Sequence, residues 1–268
     1  MIFLFDQKDG ESMDFIEFNM VEGHFAVIRL QRPEKHHAVS LEMAAELNEA
    51  LSLAEQAIDQ AAIKCLIVTS GESPFFCAGG DLGDFHVELS PEEAFNRLNQ
   101  MRNFLYRLFI FPLPTIALLN GDALGGGCEI ATACDERFAS GGRKFGFIQS
   151  KLGITPGWGG GALLYHRILP SHAFRWLSRG EIYSAKELVQ SGWLHGIYSE
   201  EKSLEYFASP FLTKSTDLLR LLKKQYLNDV NVEKIFGEME KEVKDCASLW
   251  DSPEHIQAIE AFHNQRKK

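Results

Sequence analysis

The sequence predicts an α/β fold in which turns of strand and helix stack on one another and give way to a helical C-terminal region. Two observations predict it. The order helix, strand, glycine-bearing loop occurs twice between residues 40 and 127, as a structural repeat without a sequence repeat. After about residue 200 the strand signals fade, and residues 201–213, 215–228, 231–249 and 253–265 read as helices. At 268 residues, with 45% hydrophobic and 24% charged side chains, the chain is long and apolar enough to bury a sizeable core. Residues 1–200 are therefore expected to form the core, and residues 201–268 a helical region that is not an independent domain, since no low-complexity linker separates them.

The elements follow in order. Residues 13–21 and 24–31 alternate in a strand-like way around Glu22-Gly23, which reads as a hairpin. Ser40 is an N-cap for a helix to about Ile58, with Met43, Leu47, Leu51 and Ala54 as its apolar stripe. Cys65-Leu66-Ile67-Val68 marks a buried strand that delivers the chain into the loop Gly71–Phe85. Ser90-Pro91-Glu92-Glu93 combines an N-cap, a first-turn proline and a capping-box acid, so a helix follows to about Ile110, where Pro112 and Pro114 end it. Thr115–Leu119 is again strand-like and feeds a second glycine loop and its helix. Asp251-Ser252-Pro253-Glu254 caps the last helix.

Composition excludes several classes. Asp plus Glu is 37 against 27 for Lys plus Arg, a net charge of −10, which argues against nucleic acid or an anionic membrane as a partner. No apolar stretch reaches membrane-spanning length, and Asp6, Lys8 and Asp9 interrupt the apolar start far short of a signal peptide. The five cysteines, Cys65, Cys77, Cys128, Cys134 and Cys246, are odd in number and mostly set in apolar runs. That pattern suits reduced, buried thiols in a cytoplasmic protein, and Cys128 and Cys134 lack zinc-ligand spacing, so no metal is expected.

The chemistry concentrates in Asn120–Asp135. Gly125-Gly126-Gly127 opens a helix whose first N–H groups have no internal partner, and three residues on Glu129 returns over the same face. Backbone donors at the positive end of a helix dipole, beside a lone carboxyl, suit a developing oxyanion. The bland alternatives are small-residue packing for the glycines and a solvated first-turn acid for Glu129; the apolar neighbours Cys128, Ile130 and Ala131 favour a buried helix. Asp135 reads as structural, closing the helix or pairing with Arg137. Asp81, Asp84 and His86 read as loop residues, of which Asp84 or His86 could reach a substrate. Trp158, Phe75, Phe76 and Phe85 read as core or pocket lining. Gly157-Trp158-Gly159-Gly160-Gly161-Ala162 matches a dinucleotide fingerprint by letter, but Pro156 stands where a strand should end, so a helix-packing turn is the better reading.

Three segments, in order, resemble the enoyl-CoA hydratase/isomerase (crotonase) superfamily: Arg32–Val39, with His37 where asparagine is usual; Pro74-Phe75-Phe76-Cys77-Ala78-Gly79-Gly80-Asp81-Leu82; and Asn120–Asp135 continuing through Phe145–Gly160. The tail Ser252–Lys268, with Ala261-Phe262 and Arg266-Lys267-Lys268, is similar to the family's last helix. The resemblance implies a crotonase-like spiral of ββα turns and a C-terminal helical region that builds trimers, often paired into hexamers. It implies that the Ala78 and Gly126 N–H groups hold the thioester oxygen of an acyl-CoA and stabilise an enolate. It implies that Ala38 and the turn Ala78, Gly79, Asp81, Leu82 frame the CoA, with Lys35 and His36 facing its phosphates. CoA enters as part of the substrate, and no separate cofactor is implied.

A hydratase of this family uses two glutamates. Glu129 matches the first, whereas Gln149 stands in the place of the second, and an amide does not exchange a proton at neutral pH. Enoyl-CoA hydratase-like (lyase) chemistry is the family default. Decarboxylation of a methylmalonyl- or ethylmalonyl-type thioester is its main competitor, because loss of CO2 leaves the same enolate, and Gly153–Gly160 is similar to that branch too. Isomerisation is a further alternative, and a non-catalytic acyl-CoA-binding subunit is the alternative of another class.

Overall fold

The computed structural model describes residues 13–21, 24–60, 63–85, 89–199 and 201–266. The Glu22-Gly23 turn, His86 and Lys267-Lys268 of the tail lie outside them. The chain opens with strands β1 (Ile16–Val21) and β2 (His24–Leu30), antiparallel, with Ile16 opposite Leu30 and Val21 opposite Phe25. Helix α1 (Leu41–Asp59) follows, and the Ser40 hydroxyl accepts the Met43 N–H at 3.1 Å. Then come β3 (Ile63–Ser70), β4 (Phe75–Cys77), the short α2 (Leu82–Phe85) and α3 (Pro91–Phe109), whose capping box joins Ser90 and Glu93 in both directions.

Beyond α3 the pattern tightens: β5 (Thr115–Leu119), β6 (Asp122–Leu124), α4 (Gly126–Ala133), β7 (Glu136–Ser140), β8 (Lys144–Gly146) and α5 (Gly160–Arg167). Helix α6 (Pro170–Arg179), β9 (Tyr183–Ser184), α7 (Ala185–Gln190) and β10 (Gly196–Tyr198) complete the core. From β3 to β8 successive strands alternate between two sheets. One has the order β1-β2-β3-β5-β7-β10 and is parallel beyond β2; the other is β4-β6-β8-β9, parallel up to β8. Each turn thus lays one strand in each sheet and closes with a helix, so the architecture is the expected ββα spiral. The described residues hold three such turns where the sequence showed two. The third, β7-β8-α5, escaped because Glu136-Arg137-Phe138-Ala139-Ser140 carries charge where a buried strand is read by apolar run.

Four helices end the described chain: α8 (Leu204–Leu212), α9 (Thr216–Asp229), α10 (Val232–Ser248) and α11 (Pro253–Arg266). Helix α10 lies against α3 and α5, and its Ile235, Met239, Val243 and Cys246 belong to the same buried cluster as Leu98, Met101 and Trp158. Helix α9 is tied down differently. Its Lys223 ammonium sits 2.5 and 2.6 Å from the two Asp135 carboxylate oxygens, with Arg167 at 3.7 Å. Asp135 is structural as expected, but Arg137 is not its partner: that guanidinium donates to the Cys134 and Trp193 carbonyls. None of the described helices is long and apolar enough to cross a membrane.

Candidate active site

The site is built where the second and third turns of the spiral meet. Gly125 has φ 52° and ψ −117°, a conformation that only glycine adopts readily. Its carbonyl accepts the Cys128 and Glu129 N–H groups, which starts α4. Among the described residues the Gly126 and Gly127 N–H groups find no acceptor, as expected of the first donors of a helix. The two glycines are needed for space. A Cβ on Gly126 would lie 2.1 Å from the Trp158 ring, and one on Gly127 would lie 2.2 Å from the Cys77 carbonyl oxygen.

Loop Ala78–Asp81 reaches the same place. Val39 donates to the Gly79 carbonyl and Asp81 to the Val39 carbonyl, both at 2.8 Å, so Val39 and Gly80 form a parallel bridge. This register corrects one expectation. The Ala78 N–H donates to the His36 carbonyl at 3.1 Å and is spent, whereas the Gly80 N–H has no acceptor among the described residues. Gly80, not Ala78, lines a cavity of about 50 Å³ together with Gly126, Glu129, Gln149, Trp158, Cys246 and Trp250.

Glu129 is 2% exposed and fully engaged. Its Oε1 accepts the Gln149 Nε2 at 2.9 Å and the Gly157 N–H at 3.4 Å; its Oε2 accepts the Trp158 N–H at 3.0 Å and the Gly160 N–H at 2.9 Å. Four donors occupy its four lone-pair directions. The segment Gly157–Gly160 is therefore a carboxylate cradle as well as a helix-packing turn. Burial pushes the Glu129 carboxyl up to about 7, against the pull of these donors. Gln149 begins a 3₁₀ turn, Gln149–Leu152, is 8% exposed, and leaves its Oε1 buried with no partner among the described residues. Cys246 reaches in from α10 and donates to the Thr155 carbonyl at 3.2 Å. Burial, Glu129 and Glu242 hold its thiol well above its ordinary value, so it is a neutral wall and not a nucleophile.

The residues expected to frame CoA lie on two loops tied together next to Gly80. Lys35 and His36 are exposed at the end of a 3₁₀ turn, Pro33–Lys35, with His36 stacked on Phe75 at 4.7 Å. The Ala38 carbonyl and the Asp81 carboxylate both accept from Arg32 Nη1, at 2.8 and 2.6 Å, so this guanidinium ties the two loops together. The Gly83 N–H and Arg32 hold Asp81 below its ordinary value despite a desolvation cost. Asp81 is thus a brace. Gly79 has φ 104°, and Leu82 opens α2 half-buried. Asp84 accepts the Leu41 N–H at 3.0 Å, at the start of α1. His37 explains its own oddity: it has φ 53°, a left-handed position that histidine tolerates nearly as asparagine does, and its Nδ1 accepts the Arg32 N–H at 2.9 Å.

Sequence reasoning missed Gly80, Cys246, Trp250 and Glu242. Glu242, on α10, accepts the Gly161 N–H at 3.3 Å and also the Ala162 N–H, next to the donors that hold Glu129.

Known proteins resemble this chain in sequence and in fold. The family described as enoyl-CoA hydratase/isomerase matches residues 21–268. The ethylmalonyl-CoA decarboxylase of Xenopus laevis is 32% identical over 254 residues, 91% of this chain and 82% of that protein. The crotonyl-CoA hydratase of Syntrophomonas wolfei is 34% identical over 208 residues, 75% of this chain and 77% of that protein. The crystal structure of an enoyl-CoA hydratase from Bacillus halodurans superposes with a TM-score of 0.83 at 23% identity, over 92% of this chain and all of that one, which is a likeness of fold.

Proposed function

This chain belongs to the enoyl-CoA hydratase/isomerase family and is an acyl-CoA enzyme, and from that premise we propose that it decarboxylates a malonyl-type CoA thioester through an enolate. One observation carries the reading. Among the described residues Glu129 is the only carboxyl that lines the cavity, and the second acid of a hydratase is replaced by an amide that donates to it. Hydration needs one group to activate water and another to protonate the α carbon. Decarboxylation needs no base. The bond between the α carbon and the carboxylate breaks, its electron pair enters the enolate, CO2 leaves, and one proton closes the α carbon.

Each residue then has a task. The Gly80 and Gly126 N–H groups hold the enolate oxygen, a stabilisation worth about 3–4 kcal/mol per donor in comparable sites. Glu129, holding its proton to near neutrality, delivers it to the α carbon. With Glu129 protonated, the Gln149 amide can turn over so that its Oε1 accepts the new O–H. Its NH2 then faces the cavity, where a substrate carboxylate would lie. The relatives that carry the name ethylmalonyl-CoA decarboxylase add weight, and they suggest a methyl- or ethyl-branched substrate. In the same reading CoA enters as part of the substrate with no separate cofactor. Lys35 and His36 meet its phosphates, and the C-terminal helices assemble trimers or hexamers in the cytoplasm.

A panel of ethylmalonyl-, methylmalonyl-, crotonyl- and 3-hydroxybutyryl-CoA tests this. The expected result is CO2 and a saturated acyl-CoA from the branched malonyl esters, with crotonyl hydration slower by about 100-fold or more for want of one acid. Hydration without CO2 release would overturn it in favour of a hydratase, and turnover of no ester would overturn it in favour of a binding subunit.

A further inference from the structure

The cavity beside Glu129 backs onto a much larger space. Ile154 and Thr155 line this cavity of about 50 Å³, and both also line a cleft of about 800 Å³ between α5, α6 and α10. They stand in a stretch of chain that belongs to no helix or strand. The α5 and α6 side of the cleft is largely apolar, with Tyr165, Phe174 and Leu177, whereas its α10 side carries Lys241 and Asp245.

The stretch is pinned from both ends. Before it, the His255 Nδ1 on α11 donates to the Leu152 carbonyl at 2.6 Å, and a Cβ on Gly153, at φ 72°, would lie 3.0 Å from the His255 N. Ile154 is 7% exposed, and its N–H donates to the Gln149 carbonyl at 3.2 Å. The Thr155 carbonyl accepts the Cys246 thiol of α10 at 3.2 Å. Ile154 also has few ways to turn aside, because its branched Cβ restricts its rotamers. Size then decides what fits. An apolar cavity of about 150 Å³ accepts a six-carbon ring. The inner cavity, a third of that size, has no room for an alkyl chain, whereas the cleft has room to spare.

We propose that Ile154 and Thr155 are the specificity-determining wall of the acyl site: they end it, confine the protein to CoA esters of short acyl groups, and shut alkyl chains out of the cleft behind them. The place of the acyl group beside Gly126 and Glu129 rests on the proposed function, whereas the wall limits size whichever bond is broken. A longer chain forced against Ile154 overpacks a pinned segment and loses affinity. With the Ile154 side chain cut back to Cβ the two spaces join. Each methylene that then passes into the cleft leaves water and tightens binding about fourfold.

Calorimetric affinities for acetyl-, butyryl-, hexanoyl- and octanoyl-CoA test this, since none of these saturated esters carries a group to lose. In the native protein affinity should peak at butyryl-CoA and fall by about tenfold or more at octanoyl-CoA. In Ile154→Ala the fall should become a gain. Octanoyl-CoA should then bind at least about tenfold tighter than it does to the native protein, while acetyl-CoA changes by less than about threefold. Ser178→Trp fills the cleft from the exposed surface of α6, so it should cancel that gain and leave acetyl-CoA binding unchanged. Leu98 lines the inner cavity alone, so Leu98→Ala should not admit octanoyl-CoA. Native protein that binds octanoyl-CoA as tightly as butyryl-CoA would overturn the proposal, as would a length limit that Ile154→Ala leaves in place. A gain that survives Ser178→Trp, or that Leu98→Ala reproduces, would also overturn it, because the chain would then lie elsewhere. Should Ile154→Ala fail to fold, Ile154→Val removes one methyl group and should tighten hexanoyl-CoA about fourfold, and no gain there overturns the wall. The expected length dependence in a protein that releases no CO2 from malonyl esters would uphold the wall and reject the decarboxylation reading alone.

Discussion

Two helices in this molecule begin alike and end up with opposite roles. Helices α4 and α5 are each eight residues long, and each starts from three glycines with a positive-φ N-cap, 52° at Gly125 and 89° at Gly159, and no side-chain cap. At α4 the N–H groups of Gly126 and Gly127 find no acceptor among the described residues, and Gly126 borders the cavity. At α5 the donors are filled by Glu129 and Glu242. Every helix start attracts an anion. What differs is whether the protein supplies that anion from its own core. The closed end stores a carboxyl, the open end waits for an oxyanion, and Glu129 belongs to both: it sits in the first turn of α4 and is held by α5.

The sharpest break in this comparison is Glu129→Gln. It removes the proton but leaves the open end intact, so kcat should fall by about 10²–10⁴-fold, while calorimetric affinity for a CoA thioester changes little. Unchanged turnover would take Glu129 out of the chemistry. Next come two alanines at the closed end, which separate its two occupants. In Gly160→Ala the new methyl meets the Glu129 Cβ and Cα, at 2.3 and 2.6 Å, close to backbone that cannot give way. A stability loss of about 1–3 kcal/mol in denaturant unfolding is expected, together with lost turnover. In Gly161→Ala the first atom met is the Glu242 Oε2, at 2.6 Å, the far end of a flexible side chain, and the next is the Pro156 Cγ at 2.9 Å, farther off than the Glu129 backbone is from Gly160. That variant should fold better than Gly160→Ala and keep more of its turnover. Equal damage from the two would mean that the closed end is a packing device.

The sequence made the open end legible and the closed end nearly invisible, for physical reasons. Gly125–Glu129 is a local motif: the donors, the dipole and the acid lie within five residues, so helical geometry alone relates them. The cradle for Glu129 is 28 to 31 residues away, and Glu242 is 80 residues beyond Ala162 in the chain. No periodicity links α10 to α5, so Glu242 reads as one more polar position on an amphipathic helix. The assignment of Ala78 failed for a related reason. In Ala78-Gly79-Gly80 every residue offers an N–H, and only the bridge of Val39 to Gly80 decides which ones point inward. Caps were easier, because Ser40 and Ser90 act on donors three residues away, and both helices begin where those caps place them. The left-handed turn at His37 fell between these cases, since the resemblance marked the position but only the φ angle explains it.

The smallest effect tests whether α10 is a rigid carrier of the closed end. Gly237 is an exposed interior residue of α10, a Cβ placed on it would meet nothing within 4 Å, and it is not among the positive-φ glycines. Alanine there removes backbone freedom from the unfolded chain at no steric cost, so Gly237→Ala should stabilise the protein by about 0.5–1 kcal/mol. A rise in Tm of about 2–4 °C per kcal/mol is expected for a chain of this size. Because the change acts on the helix that delivers Glu242 and Cys246, and not on Gly80, Gly126 or Glu129, the pH profile of kcat should stay in place while thermal unfolding moves up. A shift of that profile without a gain in Tm would mean that α10 yields where Glu242 holds the Gly161 and Ala162 N–H groups and that the closed end is set by motion of this helix, in contrast to the fixed backbone of the open one.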